Sequence, residues 1–93
     1  MHAVVVRVSI GDFERAHGGL REQVVPGASQ APGFVAGYWT RSDDGHNGLS
    51  MVVFESEEAA QAAAEGIRSG AVIPETVTLE SVEVREVVEH ARG

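Results

Sequence analysis

Cysteine is absent from this chain of 93 residues, so disulfide bonds, thiolate nucleophiles and cysteine-based metal sites are excluded together. Basic residues are also scarce: the seven that occur are all arginines, spread singly along the chain, against fourteen acidic residues and a net charge of −7. Nucleic-acid affinity comes largely from clustered basic side chains. The sequence therefore argues against a nucleic-acid partner and against binding to an anionic membrane.

Long apolar runs are lacking as well. The apolar run in the opening "MHAVVVRVSIGDF" is too short to span a bilayer, and the stretch lacks a basic n-region followed by a cleavage site. We therefore expect a cytoplasmic protein. The length fits one domain, residues 1–93, and small domains often gain stability by oligomerising.

Cofactor and metal motifs are missing too. No GxGxxG follows the first predicted strand, so nucleotide binding has no support. No two of the four histidines are spaced i, i+4 on one element, and no Asp-rich loop accompanies them. The sequence predicts neither a metal site nor a cofactor.

Apolar periodicity defines the first half of the chain. Residues 2–10, dense in valine, predict a strand with apolar side chains on both faces. Asp12 caps a helix predicted over 12–25, which Pro26 and Gly27 are expected to end. Four of its side chains follow the spacing of one helical face: Phe13, His17, Leu20 and Val24.

The second half predicts a hairpin, a helix and a strand. Residues 34–42 and 49–55 form the hairpin around the polar connector "DDGHNG", where His46 and Asn47 are expected in solvent. Ser56 caps a helix over 56–69 with an alanine-rich inner face. The last strand, 76–90, is unusually long, and we expect its end to pair with a partner chain.

The order β-α-β-β-α-β is that of a split βαβ, ferredoxin-like fold of the α+β class, with two helices on one face of an antiparallel sheet. The other face is still apolar, and no residues remain to cover it. A second copy packed sheet on sheet is the simplest cover. We therefore predict a homodimer through the open sheet face, in which two sheets enclose a dimeric α/β barrel.

Three segments carry a resemblance to a known family: "PGF" at 32–34, "VVFESEEAAQAAA" at 52–64, and the valine-rich final strand. Over nearly its whole length the chain resembles the dimeric α/β-barrel superfamily and, within it, the antibiotic biosynthesis monooxygenase-like domains. That family includes cofactor-free oxygenases of aromatic polyketides, haem-degrading enzymes and small domains without an assigned activity. The resemblance is specific for the fold and weak for the reaction.

The haem-degrading branch does not match. It calls for an Asn on the first strand, a Trp ending the third and a His on the second helix, whereas this chain has Arg7, Phe54 and no His on that helix. The resemblance thus implies a cofactor-independent monooxygenase acting on a small aromatic or polyketide-like molecule. The alternative is a non-catalytic ligand-binding or accessory barrel, and the sequence does not decide between them.

His17 is the candidate catalytic base, because it interrupts an apolar helix face and histidine is the residue type suited to proton transfer at neutral pH. In a pocket between helix and sheet it could remove a proton from a phenol or an acidic C–H group. The competing interpretation, which base rates favour, is a partly buried histidine bonded to the backbone.

Tyr38 and Trp39 are adjacent, so strand alternation sends them to opposite faces. Trp39 and Arg41 share one face and are candidates to grip a planar or anionic ligand, joined by Arg7 if its face agrees. Trp39 is equally interpretable as an anchor of the dimer interface. Tyr38, also a candidate ligand contact, is expected to pack under the helices.

Overall fold

The computed structural model describes residues 1–70, 73, 74 and 76–93. These residues form four strands, a first helix of three segments before the central hairpin and a second helix after it. The strands are β1 (His2–Ile10), β2 (Phe34–Arg41), β3 (Asn47–Phe54) and β4 (Val77–Glu86). They pair antiparallel in the order β2-β3-β1-β4. This is the predicted ferredoxin-like arrangement.

The first helix is longer than predicted and consists of three segments: α1 (Phe13–Gly19), a π-helical segment (Leu20–Val24) and α2 (Val25–Ser29). Pro26 and Gly27 do not end it, which corrects the expectation. Pro26 lies in the first turn of α2, directly after the π-helical segment. A proline lacks an N–H and clashes with the carbonyl four residues earlier, and a widened turn before it relieves both problems.

The start of the first helix is tied to the segment before β4. Asp12 caps α1 by accepting from the Arg15 N–H at 3.3 Å. The Thr76 hydroxyl donates to the Asp12 carbonyl at 2.9 Å, and the Gly11 N–H donates to the Thr76 carbonyl at 2.7 Å. These bonds hold the N-terminal end of α1 at the edge of the sheet.

The second helix, α3 (Glu57–Arg68), is packed far more tightly on the sheet than the first. Its Ser56 cap accepts from the Ala59 N–H at 3.1 Å, as predicted. Ala60 and Ala64 are fully buried, because their small side chains let the helix axis approach the strands. They pack in the main core with four residues of β1 and β3: Val4, Val6, Val52 and Phe54.

β2 contains a bulge that the sequence pattern does not predict. Its register against β3 shifts between Phe34 and Ala36, so Val35 has no partner opposite it. One extra residue reverses which side chains face the helices from that point onward. Phe34 and Trp39 consequently both face the helices, although strict alternation would separate them.

β4 ends at Glu86, four residues before the predicted end of the last strand. Beyond it the Val87 N–H still donates to the Met1 carbonyl at 3.0 Å, but residues 87–93 form no strand. The expectation of a strand over 76–90 was therefore too long. Within the described part of the chain, no helix has the length and apolarity needed to cross a membrane.

Candidate functional site

A cavity of about 480 Å³ lies between the sheet and the first helix, where the sequence predicted one. Alternate side chains of β1 form its floor, and the facing side chains of the first helix form its roof. The roof stands off from the sheet because Phe13, Leu20 and Val24 are large, whereas the alanines of α3 are small. Among the first-helix residues only Ala16 is buried. The contrast between the two helices creates the space.

The lining is mostly apolar and includes a few polar residues. Val4, Val6 and Val8 lie below, and Leu20 and Val24 lie above. Five polar residues also border the cavity: His17, Gln23, Thr40, Arg41 and Ser50. An apolar pocket with a few convergent polar groups is the usual form of a small-molecule site.

His17 borders this cavity, as expected of a candidate base, and its side chain is exposed rather than sealed. Its ring stacks on Phe13, with ring centroids 5.2 Å apart and an interplanar angle of 23°. Within residues 1–70, 73, 74 and 76–93 the imidazole makes no hydrogen bond. His17 is therefore not the partly buried, backbone-bonded histidine of the competing interpretation. Its catalytic role stays a prediction.

Arg41 contacts the same aromatic ring. Its guanidinium carbon is 4.0 Å from the centroid of Phe13, close enough for a cation–π contact. Arg41, Phe13 and His17 therefore form a continuous stack along the cavity, joining β2 to the first helix. We call these three residues the mouth stack.

Trp39 borders the cavity from the helix-facing side of β2, and this corrects one interpretation of it. The sequence placed Trp39 on the sheet face that a dimer would close and Tyr38 under the helices. The two residues do point in opposite directions, but the faces are exchanged: Tyr38 is 70% exposed on the open face. The bulge at Val35 is the physical reason, because it changes the phase of the alternation.

Arg7 does not border the main cavity. Its side chain is exposed on the open face of β1, where the strand register sets it between Leu49 and Ser81. Arg7 and Arg41 both border a second, smaller hollow of about 260 Å³, which shares Arg41 with the main cavity. Neither Arg7 nor Tyr38 is part of the lining of the main cavity within one chain, and a ligand contact by either residue stays a prediction.

The indole of Trp39 occupies the space beside Gly37, where any other residue would have a side chain. A Cβ built on Gly37 would lie only 2.7 Å from the Cη2 atom of Trp39. The indole therefore lies flat over Gly37, along the strand instead of across the cavity. Glycine within a strand often marks such a close approach.

We expect Gly37→Ala to lower the free energy of unfolding by about 1 to 3 kcal/mol, because the new methyl group must displace the indole. Urea denaturation followed by Trp39 fluorescence measures both the stability and the environment of the ring. Gly18→Ala is the matched control: it lies in α1 with open space around it, and alanine there should stabilise by about 0.5 to 1 kcal/mol. Equal effects of the two changes would contradict the packing of Trp39 on Gly37.

The hairpin tip is separate from the cavity and is organised by its own polar contacts. Asp44 accepts from the Ser42 hydroxyl at 2.6 Å and from the His46 N–H at 2.9 Å. The Ser42 bond, followed by that of His46, lowers the pKa of the Asp44 carboxyl. Nowhere in the described residues do three His, Asp or Glu side chains cluster as a metal site would require.

Two residues of the site escaped the sequence interpretation. Phe13 was recognised only as part of an apolar helix face, although its i, i+4 spacing to His17 predicts their contact. Gly37 was given no role, although a glycine two residues before a tryptophan on one strand face is a signal of close packing. The contact of Arg41 with Phe13 joins distant segments, and no local pattern encodes it.

No family model matches the chain, and no curated protein matches it in sequence. Among solved structures it is similar to a monooxygenase from the gene ActVA-Orf6 of Streptomyces coelicolor, whose crystal structure contains the ligand nanaomycin D. The TM-score is 0.64 with 15% identity, covering 99% of this chain and 91% of that one. At that identity the likeness establishes a shared fold and nothing more.

Proposed function

We propose that this protein is a homodimeric α/β-barrel monooxygenase that needs no cofactor and acts on a small aromatic or polyketide-like molecule. One observation carries the proposal: an apolar cavity of about 480 Å³ that is open to His17. In such a reaction the substrate, once deprotonated, itself reduces oxygen. The protein then supplies a base, a shaped pocket and exclusion of water.

The fold likeness supports this proposal independently of the cavity, because the similar structure is a monooxygenase in complex with nanaomycin D. His17 would remove the proton at the cavity mouth. Trp39 and the valines of β1 would hold a planar ring in the dry interior, and Arg41 would position it. The alternative function is a non-catalytic ligand-binding barrel with the same cavity, and oxygen consumption separates the two.

The test is oxygen uptake by the purified, metal-free protein with a panel of planar phenols. We expect substrate-dependent uptake by the wild type and its loss in Ser50→Leu. Ser50 lies between Val6 and Trp39 on the cavity floor, so leucine there fills the cavity with apolar volume. Ser29→Leu, the same change at an exposed position outside the lining, is the matched control. Phenol binding without oxygen uptake would favour the non-catalytic alternative.

The proposed dimer rests on the open face of the sheet. Four large apolar side chains of β2 and β3 are exposed: Val35, Tyr38, Leu49 and Met51. Val88, beyond the end of β4, is also 82% exposed. A second copy packed on this face would shield these apolar side chains from water. Exposed apolar patches of this kind often mark protein–protein interfaces.

Light scattering after size-exclusion chromatography should give twice the mass of one chain. Met51→Glu should raise the dissociation constant by about 30-fold or more, because a carboxylate would be buried at the centre of the interface. Gln61→Glu, at an exposed position on α3 away from the sheet, should leave the dimer intact. A wild-type monomer at micromolar concentration contradicts the dimer, and with it the barrel.

A further inference from the structure

The charged side chains that line the cavity differ in sign from the chain as a whole, which has a net charge of −7. No described residue that lines it is an aspartate or glutamate, although the acidic residues outnumber the basic ones two to one along the chain. Arg41 is the single permanently charged side chain in the described lining. The cavity therefore carries positive charge inside an acidic protein.

Arg41 is not neutralised by a neighbouring carboxylate. Across the described part of the chain its guanidinium forms no ion pair, whereas Arg68 pairs with Glu65 and Arg85 pairs with Glu83. Its described partner is the face of Phe13 at 4.0 Å. A stacked guanidinium keeps its edge of N–H groups free, and that edge matches a carboxylate or an ionised hydroxyl.

The apolar surroundings strengthen such an interaction. Arg41 is itself exposed, but it borders the apolar lining that the valines of β1 and the side chains of the first helix form. A ligand bound in the cavity would displace water from that side of the guanidinium, and charges attract more strongly where water is displaced than in bulk solvent. Phe13 also fixes the guanidinium plane, because its own ring is packed against His17. The anchor is thus ordered before any ligand arrives, which reduces the entropy lost on binding.

We propose that the cavity selects planar aromatic monoanions over neutral molecules of the same shape, with the negative charge at Arg41 and the ring near Trp39. This inference rests on the proposed function only in taking the cavity as the ligand site. The charge is carried by an ionised hydroxyl or a carboxylate, since both present acceptor oxygens to the guanidinium edge.

The test uses Trp39, the only tryptophan, as a fluorescent reporter of binding. Two matched pairs of probes differ in charge but little in shape: 2-hydroxy- with 2-methoxy-1,4-naphthoquinone, and 2-naphthoate with 2-naphthamide. At neutral pH the first member of each pair is an anion. We expect the wild type to bind the anion of at least one pair about tenfold more tightly or better. The pair showing the preference identifies the ionised group.

Arg41→Met should abolish the preference while retaining affinity for the neutral probes, and Arg41→Lys should keep part of it. Arg21→Met, an exposed arginine of the first helix that borders neither of the two hollows, is the matched control and should behave as wild type. Equal binding of anion and neutral partner in the wild type overturns the inference and leaves the ligand cavity standing. A preference that persists in Arg41→Met overturns it as well. No binding of any probe overturns both this inference and the proposed cavity function.

Discussion

Phe54→Ala is expected to lower the free energy of unfolding by about 3 to 5 kcal/mol, a large share of the roughly 5 to 15 kcal/mol that stabilises a small domain. Phe54 is 2% exposed and is the largest fully buried side chain among the described residues. Its ring meets that of Phe34 edge to face, with centroids 6.3 Å apart. Alanine would leave a void between β1, β3 and α3 that neighbouring side chains cannot fill.

Chemical denaturation of the variant measures this loss directly. Phe13→Ala is the matched control, because Phe13 is only partly buried and faces the open cavity on one side. We expect it to cost about 1 to 2 kcal/mol, since fewer packing contacts are lost where a cavity already exists. A loss below about 1 kcal/mol for Phe54→Ala would contradict the placement of the core under α3.

His17→Ala is expected to slow substrate-dependent oxygen consumption by about 10² to 10⁴-fold, the usual contribution of a general base. Affinity for the planar probes should change little, because His17 lies in the mouth stack rather than on the apolar floor. Rate and binding therefore separate in this variant. His17→Gln should be equally slow, since glutamine keeps polarity but accepts no proton at neutral pH.

His46→Ala is the control for His17, because His46 lies in the exposed hairpin tip and borders no described part of the cavity. Its rate should match the wild type. Unchanged oxygen consumption in His17→Ala would remove His17 from the mechanism. The cavity would then require another base or a substrate already ionised in solution.

The fold was predictable because its signals are local. The valines of β1, the Ser56 cap and the small residues of α3 each specify one element, and the element order then restricts the topology to few choices. The limits of the first helix were not predictable, since a π-helical segment before Pro26 leaves no pattern that distinguishes it from a helix end. The end of β4 was overestimated because valines continue beyond Glu86.

The candidate site was predictable only in part. Its position under the first helix, the inclusion of His17, and the shared face of Trp39 and Arg41 followed from spacing. The face of the sheet on which Trp39 lies could not be predicted from spacing. The bulge at Val35 exchanges the two faces for all later side chains of β2. A bulge is defined by how two strands pair, so the alternation of residues within one strand does not predict it.

The most direct test of the central claim is a crystal structure of the protein with bound 2-hydroxy-1,4-naphthoquinone. The account predicts the ring in the cavity between Val6 and Leu20, with its ionised oxygen facing Arg41 and an edge within reach of His17. A ligand bound on the open face of the sheet beside Tyr38, or a cavity filled by side chains at saturating ligand, would contradict it.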